Sequence, residues 1–164
     1  MLLVDGYNVI FCWQDLKELA NINIDAARDA LSDRLGSYQA WNPDLELILV
    51  FDAYRVKGGA GSEQHFHGIR IVYTQQDETA DSFIERFAHD NRDSAVITVV
   101  TSDRLEQITI RSQGCYLMGS HEFEREVIES CRRGMEEYEQ LRELQERKER
   151  REKKGSDDQA GEKQ

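Results

Sequence analysis

Leu45-Glu46-Leu47-Ile48-Leu49-Val50-Phe51-Asp52 is the stretch that decides the fold. Residues 47 to 51 are apolar without a break, and the run stops at an aspartate. A strand buried on one face alternates apolar and polar residues. An unbroken run reads as a strand buried on both faces, as in a parallel sheet covered by helices. Working outward, Leu2-Leu3-Val4 is a shorter run of the same kind, ending at Asp5, and Ala95 to Val100, interrupted only by Thr98, is a further predicted strand, ending at Thr101-Ser102-Asp103. Ile69 to Tyr73 and a short piece around Cys115 to Leu117 complete the predicted strands. Between them, Ala27, Leu31, Leu35, Tyr38 and Trp41 recur at helical spacing, with Asp25 as the expected N-cap and Asn42-Pro43-Asp44 as the stop. Thr79 to Asn91 carries the stripe Ala80, Phe83, Ile84, Phe87, Ala88, with Thr79 able to cap it. Another helix is expected from Arg104 to Ser112. This alternation predicts an α/β fold, a central, mainly parallel sheet between helical layers. The polar, Gly-rich stretch from Lys57 to Gly68 reads as a mobile loop.

The chain has 164 residues and 19.0 kDa, room for one domain with a real core and too little for two ordinary ones. Its longest apolar run is far short of the roughly 20 residues of a membrane span. Met1 leads straight into Leu-Leu-Val-Asp, without a basic region or small-residue cleavage site. Cys12, Cys115 and Cys131 are odd in number and widely spaced, forming neither a disulfide framework nor a zinc pattern. Together these features predict a cytoplasmic protein. The net charge is −11, with 13 Lys and Arg against 22 Asp and Glu in residues 1–134, and 8 against 10 in 135–164. Such a balance excludes a broadly basic nucleic-acid binder but not an enzyme that grips phosphates through metal ions.

From Glu122 a long helix is expected, whose apolar positions Ile128, Cys131, Met135 and Tyr138 hold heptad spacing too briefly for a coiled coil. Beyond Leu144 it is almost wholly charged, supported by the pairs Glu143–Arg147, Glu146–Arg150 and Glu149–Lys153. The expected organisation is a domain over 1–134, a charged helical extension over 135–154 and a disordered tail over 155–164.

In an open parallel sheet, ligands bind outside the carboxyl ends of the strands. Three predicted strands end at Asp5, Asp52 and Asp103, and Asp81 lies in the first turn of the helix after the third strand. Any one of these aspartates reads equally as a turn residue or helix cap. Four converging on one edge would repel one another unless protons or cations intervened. Hard oxygen ligands with open positions suit Mg²⁺ or Mn²⁺. Asn8, one turn beyond Asp5, can orient a carboxylate or cap the next segment. Ser102 can bond Asp103 or a phosphate, or close a local turn.

Leu3-Val4-Asp5-Gly6-Tyr7-Asn8-Val9-Ile10, Val50-Phe51-Asp52-Ala53, Glu78-Thr79-Ala80-Asp81 and Thr101-Ser102-Asp103, in this order, resemble the motif series of bacterial YacP-like NYN domains, within the PIN-like nuclease superfamily. The resemblance covers roughly residues 2–130. It implies a PIN-like three-layer fold and a metal-dependent endoribonuclease, with ribosome-associated mRNA cleavage in one branch and 5′-phosphate and 3′-hydroxyl products. It also implies Asp5, Asp81 and Asp103 as catalytic metal ligands on Mg²⁺ or Mn²⁺, with Asp52 and Asn8 at accessory positions. Family members occur alone and as domains of longer proteins, so this chain is expected to be either.

Arg55, Lys57, His65 and His67 flank or occupy the Gly-rich stretch, and a cationic loop touching RNA phosphates is the sharper reading of them. The plainer one is a mobile surface loop. Lys57-Gly58-Gly59-Ala60-Gly61-Ser62 lacks the Gly-Lys-Ser/Thr ending of a phosphate loop, and two histidines without a third ligand do not make a zinc site. Arg147 to Lys154 holds six Lys or Arg and two Glu, enough to track ribosomal RNA or simply to solvate a helix end. Three function classes follow: a metal-dependent endoribonuclease acting on mRNA, a non-catalytic RNA- or ribosome-binding module, and a small-molecule phosphohydrolase. The last is disfavoured by the lack of an Asp-x-Asp nucleophile pair after strand one.

Overall fold

The period-two sorting of side chains in the buried strands builds the two faces of the core. Strand β1 (Leu2–Asp5) sends Leu2 and Val4 to one face and Leu3 to the other. Strand β2 (Leu47–Phe51) likewise splits Leu47, Leu49 and Phe51 from Ile48 and Val50, and every residue of both strands is buried. A computed structural model describes residues 1–52 and 60–161, with side chains at 1–52 and 61–150. In it β1 pairs in parallel with β2 on one side and with β5 (Thr98–Val100) on the other. Strands β3 (Ala60–Phe66), β4 (Ile69–Gln75) and β6 (Tyr116–Met118) complete a six-stranded sheet ordered β3-β4-β2-β1-β5-β6, parallel except for β3.

Helices α1 (Gly6–Cys12), α2 (Gln14–Ile22) and α3 (Ile24–Trp41), with the start of α6 (Ser120–Gly161), cover one face. Helix α4 (Ala80–Asn91) and α5 (Arg104–Ser112) cover the other through Ala80, Phe83, Ile84, Ala88 and Ile110. This is the three-layer α/β architecture expected from the sequence. Helices α1 and α2 occupy a stretch the apolar spacing leaves unassigned. The cap of α3 is Asn23, which accepts from the backbone N–H of Asp25 and Ala26 at 2.9 and 3.2 Å; Asp25, the expected cap, pairs instead with Arg28. Thr79 caps α4 as expected, accepting from Ser82 N at 3.1 Å.

Much of the stretch expected as a mobile loop is β3, the antiparallel edge strand of a hairpin with β4. His67 and Gly68 turn the hairpin with φ of 47° and 84°, the doubly left-handed geometry of a two-residue type I′ turn. Strand β3 reads poorly because its sequence, Ala-Gly-Ser-Glu-Gln-His-Phe, is polar and weak in strand propensity, as suits an exposed edge. Its register with β4 comes from the ladder and the turn.

Close approach matters most at Gly6, directly after Asp5. A Cβ there would lie 2.3 Å from the Phe51 ring, which is itself fully buried. Gly6→Ala is therefore expected to destabilise the fold by about 1–3 kcal/mol through overpacking. Urea unfolding checks this; an unchanged midpoint would show that the ring yields freely.

Helix α6 is tied to the domain by Trp13 Nε1 donating to Ser120 O at 2.8 Å, by buried Phe123 and Val127, and by Asn42 Nδ2 donating to Ser130 Oγ at 2.9 Å. Among the described side chains its last buried residue is Gly134, where an added Cβ would lie 2.2 Å from the Trp41 ring. Beyond it, Met135, Tyr138, Leu141 and Leu144 are between 54% and 60% exposed. The helix runs on to Gly161, past the residue where composition predicts a disordered tail, with Arg142–Glu146 and Glu143–Arg147 pairs at 3.7 and 4.0 Å.

Candidate metal centre

Each acidic residue at the carboxyl edge of the sheet is placed by local backbone chemistry. Asp5 ends β1 and caps α1, its Oδ1 accepting from Asn8 N at 3.1 Å. Asp52, following β2, reaches across to accept from Ala80 N at 2.7 Å. That bond ties the end of β2 to the start of α4 and thereby sets Asp81 opposite Asp5. Asp103 caps α5, accepting from Leu105 N and Glu106 N at 2.8 and 3.3 Å. One turn further on, Glu106 turns into the sheet edge and is only 3% exposed.

Carboxylate oxygens of Asp5, Asp81 and Glu106 all lie within 4.8 Å of one another. Glu106 is the member sequence reasoning missed. The only signal was its position three residues after Asp103, which reads just as well as a capping box. The resemblance assigns the third ligand to Asp103, whose Oδ1 caps α5 by accepting two backbone N–H groups, much as Asp5 Oδ1 caps α1. Asp103 remains on the rim, lining a cleft of about 480 Å³ with Asp5, Tyr7, Asn8, Phe11, Cys12, Asp52 and Ser102.

Burial sets the electrostatics. It pushes the Asp5 carboxyl up to about 7, opposed by the Asn8 backbone N–H and reinforced by the charges of Asp81 and Asp52. It pushes Glu106 up to about 8, reinforced by Asp5, Asp81 and Asp103. Neither Glu106 oxygen has a hydrogen bond of ordinary geometry, and the nearby Thr101 hydroxyl offsets only part of the cost. Asp81, more exposed, is raised first by partial burial and then by Asp103, Asp52 and Glu85. A buried carboxylate with unsatisfied oxygens, facing two others, is costly as an anion unless a cation sits among them. Three hard oxygen donors with open positions fit Mg²⁺ or Mn²⁺.

Asn8 and Ser102 fasten the edge. Asn8 Oδ1 accepts from Ser102 N at 2.9 Å and from Ser120 Oγ at 2.7 Å, while Ser102 Oγ accepts from Ser120 N at 3.0 Å. The strand-end loops of β1 and β5 and the start of α6 are thus locked together. Arg55 and Lys57 lie outside the described residues. His65 is on β3 and His67 in the hairpin turn before β4, beside Gly36, at the opposite end of the sheet from the carboxylates. The two histidines therefore do not share a strand face.

A mostly parallel sheet whose central strands deliver acidic residues to one edge is the arrangement of the NYN/PIN-like fold, a nuclease-like class of domain. The chain belongs to the YacP-like NYN domain family, whose sequence profile matches residues 2–163, and NYN domains are nuclease-like domains that act on RNA. It is 40% identical over 128 residues to YacP of Bacillus subtilis, covering 77% of this chain and 74% of that protein. A crystal structure of Rae1 (YacP) from Bacillus subtilis matches with a TM-score of 0.72 at 38% identity, over 90% of this chain and 83% of that one. That of a single-substitution variant matches with 0.69 at 37% identity, over 80% and 77%. No helix among the described residues is long and apolar enough to cross a membrane.

Proposed function

We propose that this protein is a divalent-metal-dependent endoribonuclease that hydrolyses phosphodiester bonds of mRNA, including mRNA on the ribosome. The observation that carries the reading is the Asp5, Asp81 and Glu106 cluster, in which two buried carboxyls are held near 7 and 8. Asp5, Asp81 and Glu106 would hold Mg²⁺ or Mn²⁺, which when bound would supply charge neutralisation at phosphorus and activation of a water. Asp52 positions Asp81 through the α4 N-terminus, and Asn8 with Ser102 keeps the β5–α5 loop, and so Asp103 and Glu106, in register with Asp5. The expected result is cleavage of single-stranded RNA by the full chain with Mn²⁺ and none with chelator. RNA binding without cleavage in Mn²⁺ would instead mark a non-catalytic RNA-binding module, and turnover of a small phosphate ester alone a phosphohydrolase.

We assign the nuclease domain to residues 1–134 and the charged helix beyond it to a separate role. Residues 145–164 contain one apolar residue, Ala160, too little to dock on the core. Truncation after Leu144 is expected to leave thermal stability and cleavage of naked RNA within about twofold of the full chain, while ribosome co-sedimentation weakens, most at low salt. Equal co-sedimentation of both forms would remove the tail from ribosome recruitment.

A further inference from the structure

The acidic cleft has one aromatic wall. Phe11 lines it and stays 39% exposed. A single exposed phenylalanine means little by itself. This one stands on a braced column that runs from the cleft into the core. Its ring lies nearly parallel to that of Tyr7, at 26° with centroids 6.3 Å apart. Tyr7 meets Phe51 edge-on at 5.2 Å, and Phe51 stacks on Tyr73 at 5.6 Å. Buried Arg28 donates to the Tyr7 hydroxyl at 2.9 Å, which fixes that ring in turn. Among the described residues lining the cleft there are three aspartates and no lysine or arginine. A nucleic-acid strand entering here meets fixed carboxylates and a rigid aromatic surface.

We propose that Phe11 is the platform on which the nucleobase next to the bound phosphate stacks. This inference rests on the reading of the cluster as a cation site that receives RNA phosphate. The carboxylates hold a phosphate only through a cation, which anchors one point of the strand and leaves its direction free. Stacking on Phe11 supplies the second anchor. It is tolerant of base identity, because every base has a π-face, and it requires an unstacked base, so the cleft takes single-stranded RNA and excludes a paired stem.

The test uses two small phosphates that differ only in the base, adenosine 5′-monophosphate and ribose 5-phosphate, titrated calorimetrically into the full chain with Mn²⁺. The wild type is expected to bind the nucleotide roughly tenfold more tightly. Phe11→Ala is expected to reduce nucleotide affinity to that of ribose 5-phosphate while leaving the latter unchanged, and Phe11→Trp to keep the preference, which separates stacking from loss of fold. Equal affinity of the wild type for both phosphates, or a preference that survives Phe11→Ala, would overturn the stacking role and leave the cation site intact. Binding of Mn²⁺ without binding of either phosphate would overturn the RNA-phosphate reading, and the platform with it.

Discussion

Glu106→Gln is expected to lower metal-dependent RNA cleavage at least about a hundredfold and, in chelator at pH 8, to raise the melting temperature by several degrees. The two effects have one cause. Glu106 is buried, its oxygens lack ordinary hydrogen bonds, and its carboxyl is held up to about 8. Unfolding lets it ionise freely, so at pH 8 the metal-free fold is weakened on the order of a few kcal/mol. Glutamine has nearly the same shape and cannot ionise. It removes that penalty and, with it, an anionic ligand. The gain should shrink to roughly 1 kcal/mol or less at pH 5 and vanish below about pH 4, where the carboxyl is neutral in the folded and the unfolded chain alike. Melting curves of both proteins at pH 5 and 8 read this directly. A fall in stability at pH 8 as large as that of a core deletion would make Glu106 a structural residue and not a ligand. Asp81→Asn should lose activity similarly but gain less stability, because Asp81 is more exposed and carries a smaller burial cost.

The wild-type protein should show an inverse pH response with and without divalent cation. Asp5 and Glu106 have folded-state values raised to about 7 and about 8. Raised carboxyls keep their protons in the fold longer than in the unfolded chain. Their contribution to stability is thus fully present below about pH 4 and is lost as pH rises through 7 for Asp5 and 8 for Glu106. A cation binds the ionised forms, so its stabilising effect should be small at pH 5 and grow towards pH 8. At about a hundredfold excess over its dissociation constant it adds about 2.7 kcal/mol. Thermal unfolding with Mn²⁺ or with chelator, at the two pH values, measures the difference. An equal cation shift at both would mean that the ion binds elsewhere than at these carboxyls.

How much of this was legible in the sequence differs from element to element. The runs at Leu2–Val4 and Leu47–Phe51 announce parallel strands because residues buried on both faces leave no room for polar alternation. Helix α4 shows itself through an apolar stripe and a threonine cap, both local. Strand β3 does not, since its polar residues belong to an edge that only the ladder with β4 holds in place. Helices α1 and α2 are short segments whose buried side chains, Tyr7, Val9, Ile10 and Leu16, make sense only against the sheet.

The sequence alone determined that acidic residues follow three parallel strands and begin one helix, and hence that anions crowd one edge of the sheet. Only the tertiary structure decided their division of labour. Asp103 and Glu106 are three residues apart, a spacing that serves a helix cap and a ligand pair equally well. Packing of α5 through Ile110 against the sheet turns Glu106 inward to within 4.8 Å of Asp5 and Asp81, while Asp103 caps the same helix at the rim of the cleft. Which carboxylate loses its water is settled by contacts distant in the chain, and burial, not residue type, sets Glu106 apart as a candidate ligand.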